Sequence, residues 1–337
     1  MSGKTALLTG VTGQDGSYLA EQLLARGYTV HAVVRRLSVP NALNIQGLRE
    51  RITVHDGDLL DQSSLDLAVR ESAPDEVYNL AAQSFVGSSW KQPVLTAEIT
   101  GLGALRMLEA VRRFADKARF YQAGSSEMFG SSPAPQSERT EFLPRSPYGV
   151  AKLSAHHFAR TYRESYGMFV SNGILFNHES PRRGSEFVTR KISMWAAALA
   201  ANRPYAIALG NVDSRRDWGY APDYTDLMWR MLQHDRPEDF VGATGETHSV
   251  HDFLVAACDA AKIDIAGNPI GLQKWLTANA PSETRPADVL DLRGDASKAK
   301  SLLGWEPTVR FGELARKMVE ADYARIAGTP PLIGGRR

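Results

Sequence analysis

Cysteine is almost missing from this chain of 337 residues: Cys258 stands alone. One thiol excludes an intrachain disulfide and any cysteine-built zinc site. It lies in Val255-Ala256-Ala257-Cys258, an apolar helical run, and reads as a core filler. An excess of charge is missing too. The 39 basic and 38 acidic side chains leave a formal charge of +1, which argues against a nucleic-acid binder, though a local basic pocket stays open. No apolar run approaches bilayer-spanning length, and Met1-Ser2-Gly3-Lys4 leads into a strand without a signal-peptide pattern. The expectation is a soluble cytoplasmic protein with no membrane contact and no resident metal. Internal repeats and low-complexity linkers are also lacking.

What is present is ordinary globular material, with 43% hydrophobic and 23% charged residues. The length allows two domains, or one large α/β domain with an added lobe. Thr5-Ala6-Leu7-Leu8-Thr9 reads as a strand running into Gly10-Val11-Thr12-Gly13-Gln14-Asp15-Gly16 and then a helix to about Ala25. Glycines at 10, 13 and 16 permit a tight turn, close approach of a pyrophosphate and close helix–strand packing. The helix start then offers unpaired N–H groups to phosphates. An ordinary glycine-rich turn is the plainer alternative. The position between strand and helix favours a dinucleotide site.

The next strand, Thr29 to Val34, ends in Arg35-Arg36. An acidic residue here would suit the ribose of NAD, whereas arginine suits the 2′-phosphate of NADP. Arg35 is the stronger candidate. Strand follows helix further on: Ile52–His55, with Asp58 and Leu59 at the expected adenine edge, a capped helix Asp61–Glu71, a strand Val77–Ala82, and a long helix Val94–Arg113 weakened by Gly101 and Gly103. Alternation of this kind predicts βαβ units and a parallel sheet of doubly wound, Rossmann type.

Two stretches then carry the chemistry. The strand Arg119–Ala123 leads into Gly124-Ser125-Ser126-Glu127-Met128-Phe129-Gly130. If the extended geometry persists, Ser125 and Glu127 point to one side and Ser126 to the other. That places a hydroxyl and a carboxylate over a cleft at the C-terminal sheet edge. The second stretch, Ser146-Pro147-Tyr148-Gly149-Val150-Ala151-Lys152, opens a helix whose Tyr148 and Lys152 share one face. A lysine ammonium nearby favours the phenolate, so Tyr148 is expected to act as a base nearer neutrality. A lone Tyr-x-x-x-Lys is weak; the glycine turn and the Ser/Glu strand end give it weight.

Past about Ser171 the character changes. Asn172–Phe176 reads as a strand, Asn177–Gly184 as a polar turn, and Val188–Ala201 as an apolar helix. Arginine-rich stretches at 214–219 and 283–288 read either as solvated surface or as a clamp on a diphosphate. Helices near Asp295–Leu303 and Phe311–Ile326 close the chain. The expected division is a dinucleotide-binding domain over 1–175, a smaller mixed substrate lobe over 176–326 with some return of chain to the first domain, and a loose tail over 327–337.

These residues together resemble the extended short-chain dehydrogenase/reductase family, and within it the GDP-mannose 4,6-dehydratases. The specific stretches are Asn79–Val86, Gly124–Gly130, Pro144–Lys152, Phe176–Pro181 and Arg215–Gly219, and the likeness extends from Gly10 to Pro307. It implies that Ser125 hydrogen-bonds the sugar at C4, Tyr148 is the base at that hydroxyl, Lys152 holds the phenolate and the nicotinamide ribose, and Glu127 removes the C5 proton and assists loss of the C6 hydroxyl. It implies NADP held by Gly10, Thr12, Gly13, Gln14, Asp15, Gly16, Arg35, Asp58, Leu59, Leu80, Ala82, Ser84, Tyr148, Lys152, Leu175, His178 and Arg183. It implies GDP-mannose held by Ser84, Ser125, Glu127, Tyr148, Asn177, Arg183, Lys191, Arg216, Arg285 and Asp288, in a homo-oligomer, dimer or tetramer. The implied reaction moves a hydride from C4 to NADP⁺ and back to C6, with loss of water between. A GDP-heptose dehydratase, a nucleotide-sugar reductase or epimerase, and a non-catalytic NADP sensor stay open beside it. Three departures stand out, one of them Gly101-Leu102-Gly103, which is unusual in that helix. Leu37-Ser38-Val39-Pro40-Asn41-Ala42-Leu43 stands where the family usually carries serines and a further basic segment, which bears on assembly, and Asp288 stands where glutamate is common.

Overall fold

The computed structural model describes residues 3–38, 43–203, 206–264, 276–278, 280, 287, 289 and 291–328. Its centre is a sheet whose first six strands are β1 (Thr5–Thr9), β2 (Thr29–Val34), β3 (Thr53–Asp56), β4 (Glu76–Asn79), β5 (Arg119–Ala123) and β6 (Val170–Leu175). A seventh, Phe240–Gly242, comes from the later chain, and the spatial order is β3-β2-β1-β4-β5-β6 followed by that strand. Every pairing is parallel. A parallel sheet needs both faces covered, and alternate residues supply both. Ala6, Leu8, Tyr78 and Tyr121 face helix α1 (Gln14–Ala25) and the helix Ala221–Gln233. Leu7, Val77 and Phe120 face α2 (Gln62–Ser72), the helix Gly103–Phe114 and the helix Pro147–Tyr166. The outer edge is closed by the Glu138 carboxylate, which accepts from Val241 N at 2.7 Å.

The strand order reverses between β1 and β4. Such a crevice outside the C-terminal strand ends is where open α/β sheets bind ligands. The later chain forms a separate core around Ile192, Trp195, Trp218, Phe253, Leu314 and Met318, on the helices Val188–Ala200, Val250–Ala260 and Phe311–Gly328. It returns to the sheet through Phe240–Gly242 and through Asp223, which accepts from Thr308 N and Oγ1 at 2.8 and 2.7 Å.

Three local expectations change. The helix expected over Val94–Arg113 is Pro93–Thr96, a π-helical stretch Ala97–Leu102, and Gly103–Phe114. The π stretch frees the Thr100 hydroxyl to accept from Gln83 N at 3.1 Å, and a Cβ on Gly103 would sit 2.9 Å from Leu59. Asn177–Glu179, expected as a turn, is a short strand paired with Trp218–Tyr220. The helix expected from Asp295 starts at Ser297, because the Asp295 carboxylate accepts from Ser297 N at 2.9 Å.

Candidate active site

The glycine turn is built by backbone clearance. Gly10 has φ +76°, and a Cβ there would lie 2.9 Å from Ala81 N; a Cβ on Gly16 would lie 2.4 Å from Gly10 O. Larger residues would drive β1, β4 and α1 apart. Gly13 caps α1 without a side-chain hydrogen bond, so the first-turn N–H groups stay open to an anion. Arg35 is exposed at the end of β2 and forms no ion pair among the described residues, whereas Arg36 lies 3.7 Å from Asp56. Beyond β3, Leu59 is buried and the Asp58 carboxylate accepts from Leu60 N at 3.0 Å. Leu80, Ala82 and Ser84 follow β4, half-buried, half-buried and exposed. Thr12 is half-buried, and its carbonyl accepts from Asn44 Nδ2 at 3.0 Å.

Asp15 and His178 tie this turn to the later chain. Their side chains meet at 2.9 Å, and the second imidazole nitrogen lies 2.7 Å from Phe176 O. Gln14 donates to His178 O at 3.0 Å and accepts from Ser180 Oγ at 2.8 Å. Burial would raise the Asp15 carboxyl and lower the His178 imidazole, but their mutual charge and hydrogen bond reverse both shifts. Both net shifts favour the charged form of each partner.

The catalytic candidates meet because two helix starts converge. Ser146 caps its helix by accepting from Gly149 N at 3.0 Å, with Pro147 next, which puts Tyr148 in the first turn. A Cβ on Gly149 would lie 2.7 Å from Glu127 O, so this glycine lets the helix approach the turn after β5. The extended geometry expected through Glu127 does not persist. Ser125 is extended, but its hydroxyl accepts from Glu127 N at 3.2 Å and turns Ser126–Met128 into a 3₁₀ helix. Ser126 is buried, while Ser125 and Glu127 remain half-buried. The Glu127 carboxylate accepts no hydrogen bond from any described residue, and its charge is felt by Tyr148.

The expected activation of Tyr148 differs in direction. Burial pushes the Tyr148 phenol up to about 12, against the pull of a hydrogen bond from Ser125. Burial lowers the Lys152 ammonium to about 8, with the Asp15 charge opposing. Lys152 donates to Ala123 O at 2.7 Å, and its nitrogen is 5.9 Å from the Tyr148 ring centroid. The lysine is thus anchored on β5, and burial favours the neutral phenol.

Of the remaining candidates, Leu175 ends β6, and Asn177 is half-buried beside Trp218. Arg183 is half-buried in the turn that follows, Lys191 lies on the helix Val188–Ala200, and Arg216 is buried with Nη1 donating to Arg215 O at 2.9 Å. Arg285 and Asp288 lie outside the described residues. Sequence reading missed a buried polar chain across three strands. Thr9 Oγ1 donates to Asn79 Oδ1 at 2.7 Å, Asn79 Nδ2 to Gln122 Oε1 at 2.9 Å, and Gln122 Nε2 to Ala123 O at 3.1 Å. Leu80 N and Ala81 N both donate to Thr9 Oγ1 at 3.0 Å. Polar residues within otherwise apolar parallel strands were the available signal.

With this geometry in hand, the comparisons are decisive. A family model described as GDP-mannose 4,6 dehydratase matches residues 7–318. The chain belongs to the GDP-mannose 4,6-dehydratase family. Relatives span kingdoms. The chain is 48% identical over 332 residues to GDP-mannose 4,6 dehydratase 2 of Arabidopsis thaliana, covering 95% of this chain and 87% of that protein. It is 45% identical over 346 residues to GDP-mannose 4,6 dehydratase of Homo sapiens, covering 96% and 93%. Among solved structures it resembles a Thermus thermophilus UDP-glucose 4-epimerase complex with NAD, at TM-score 0.81, 26% identity and coverage of 94% and 98%. RMD from Pseudomonas aeruginosa complexed with NADPH, at TM-score 0.78, 23% identity and coverage of 96% and 99%, shares the fold.

Proposed function

We propose that this chain converts GDP-D-mannose to GDP-4-dehydro-6-deoxy-D-mannose and water, with NADP bound tightly and regenerated in each turnover. The observation that carries this reading is the uncommitted Glu127 carboxylate beside Ser125 and Tyr148 in a member of this family. A simple reductase has no use for a third titrating group there; an elimination has.

NADP fits the residues present: a glycine turn cleared of side chains, an uncapped helix start for the pyrophosphate, and an unpaired Arg35 for the 2′-phosphate. Gly10, Thr12, Gly13, Gln14, Asp15 and Gly16 would hold it from below, with Asp58, Leu59, Leu80, Ala82, Ser84, Leu175, His178 and Arg183 around it. When bound it accepts a hydride from C4 of the sugar and returns it to C6. The chain's own residues do the rest. Ser125 orients the C4 hydroxyl, and Tyr148 takes its proton. Lys152, fixed on Ala123 O, supplies the positive charge that stabilises the phenolate. Glu127 takes the C5 proton, acidified by the C4 ketone, and delivers a proton to the departing C6 hydroxyl. Asn177, Lys191 and Arg216 hold the nucleotide sugar, with Arg183 on its diphosphate; the 283–288 stretch contributes Arg285 and Asp288.

The protein is cytoplasmic and works as a homo-oligomer, a dimer or tetramer. The support for assembly is an apolar cavity of about 730 Å³ on the outer side of the helix Pro147–Tyr166, lined by Trp90, Leu102, Val150 and Phe158 among others. Leu102 and Val150 in its lining are exposed. No described helix is long and apolar enough to cross a membrane.

The test is direct. The protein with GDP-mannose and catalytic NADP⁺ should yield a product lighter by one water with no net NADPH change. Steady NADPH consumption would make it a reductase, and turnover confined to a GDP-heptose would replace the sugar.

A further inference from the structure

We propose that Glu179 is a positioning residue: it ion-pairs with the Arg183 guanidinium on its Nε side and leaves both Nη groups for a diphosphate in the cleft. This rests on the reading of Arg183 as a diphosphate ligand. Glu179 closes the short strand Asn177–Glu179 and is 1% exposed. A buried carboxylate needs a cation or donors. Here Oε2 accepts from Thr189 Oγ1 at 2.5 Å and lies 3.0 Å from Arg183 Nε, an ion pair whose N–H is not aligned for a hydrogen bond. Neither Nη of Arg183 donates a hydrogen bond to a described residue, although the side chain is mostly buried.

The rest of the guanidinium is also fixed. Its carbon lies 3.6 Å from the Phe187 ring centroid, and Phe187 meets Phe85 edge to face at 5.7 Å. The backbone is pinned too. Arg183 N donates to Ser180 O at 3.0 Å, and Arg183 O accepts from Arg190 Nη1 at 3.2 Å. The charge so placed acts on Asp15, His178 and Tyr148. These belong to the glycine turn, the strand after β6 and the catalytic helix, so the guanidinium stands among all three. An arginine with a stacked face, a carboxylate ion-paired at its Nε side and Nη groups that bond no described residue is preorganised for bidentate anion binding. A free arginine would first have to lose rotamer freedom.

The experiment titrates GDP into the NADP-loaded holoenzyme of the unaltered protein, Glu179→Gln, Arg183→Gln and the double variant. Parallel titrations with NADPH on the stripped protein show whether the diphosphate is the sugar nucleotide's or the cofactor's. Each single variant should weaken one of these ligands about 10-fold, and the double variant should be no weaker than Arg183→Gln. KM for whichever of GDP-mannose and NADP is weakened should rise by a similar factor while kcat falls less than about threefold, a split that a general folding defect would not give. Thr189→Val, which removes the second group on Glu179, should act in the same direction more weakly and serves if Glu179→Gln does not fold. Additive losses, or binding as tight or tighter in Glu179→Gln while Arg183→Gln is weakened, would overturn the role of Glu179. Unchanged binding of both ligands in Arg183→Gln would instead remove the reading of Arg183 on which the inference rests.

Discussion

Tyr148 and Glu127 are neighbours held by opposite means. Tyr148 is buried on a capped helix, its phenol raised by that burial, with Lys152 bolted to Ala123 O behind it. Glu127 sits half-exposed on a 3₁₀ turn, its backbone N–H bonded to Ser125 and its carboxylate accepting no hydrogen bond from a described residue. The difference matches two kinds of work. Proton removal at a sugar hydroxyl needs a fixed geometry and a group that releases its proton only when a cation stands by. Removing the C5 proton and then protonating the C6 oxygen needs one carboxylate to serve two atoms, and a side chain without bonds of its own can do so.

The largest break in that contrast should come from Tyr148→Phe. Losing the phenol should cut turnover by about 10²–10⁴-fold or more, the usual worth of a positioned acid–base group. No enzyme-bound NADPH should form on mixing with GDP-mannose. A normal NADPH signal in a stopped-flow trace would show that Tyr148 is not the first base. Gly149→Ala sharpens the comparison by disturbing both sides at once. Its Cβ would fall 2.7 Å from Glu127 O, so helix and turn must separate. A displacement approaching 1 Å costs about 10² in rate, and overpacking about 1–3 kcal/mol of stability. Steady-state kinetics beside a denaturant melt test this, and unchanged rates would mean that the close approach is unimportant. Arg35→Asp should leave both residues intact and act on the cofactor alone. NADP binding should weaken by about 2–3 kcal/mol, the range for a charge-assisted contact, with NAD little affected. Equal NAD and NADP affinity in the unaltered protein would contradict the choice of cofactor.

What sequence made legible was local. The Gly10–Gly16 turn, the helix opened by the Ser146–Lys152 stretch, and the four-residue spacing of Tyr148 and Lys152 are short-range patterns, and each stands where the pattern puts it. The doubly wound sheet followed from alternation in the same way. What failed depended on neighbours distant in the chain or on competing local bonds. The turn at Ser126 arises because the Ser125 hydroxyl captures Glu127 N, which a strand pattern does not reveal. The raised Tyr148 phenol reflects burial, a tertiary property that outweighs a lysine one helical turn away. Thr9, Asn79 and Gln122 form one chain only because β1, β4 and β5 lie side by side. Glu179 fell within a stretch already singled out, yet its ion pair with Arg183 required the fold.

The central claim is that oxidation at C4 and elimination across C5 and C6 are served by different residues, and one variant separates them. Glu127→Gln keeps size and hydrogen-bonding capacity but removes the base. Absorbance of enzyme-bound NADPH is followed after mixing the NADP⁺-loaded variant with GDP-mannose. The account predicts that NADPH forms and persists beside a 4-keto sugar, while net turnover falls by about 10²–10⁴-fold. Normal turnover, or no NADPH signal at all, would contradict it: the first outcome would make Glu127 structural, and the second would place it in the same step as Tyr148.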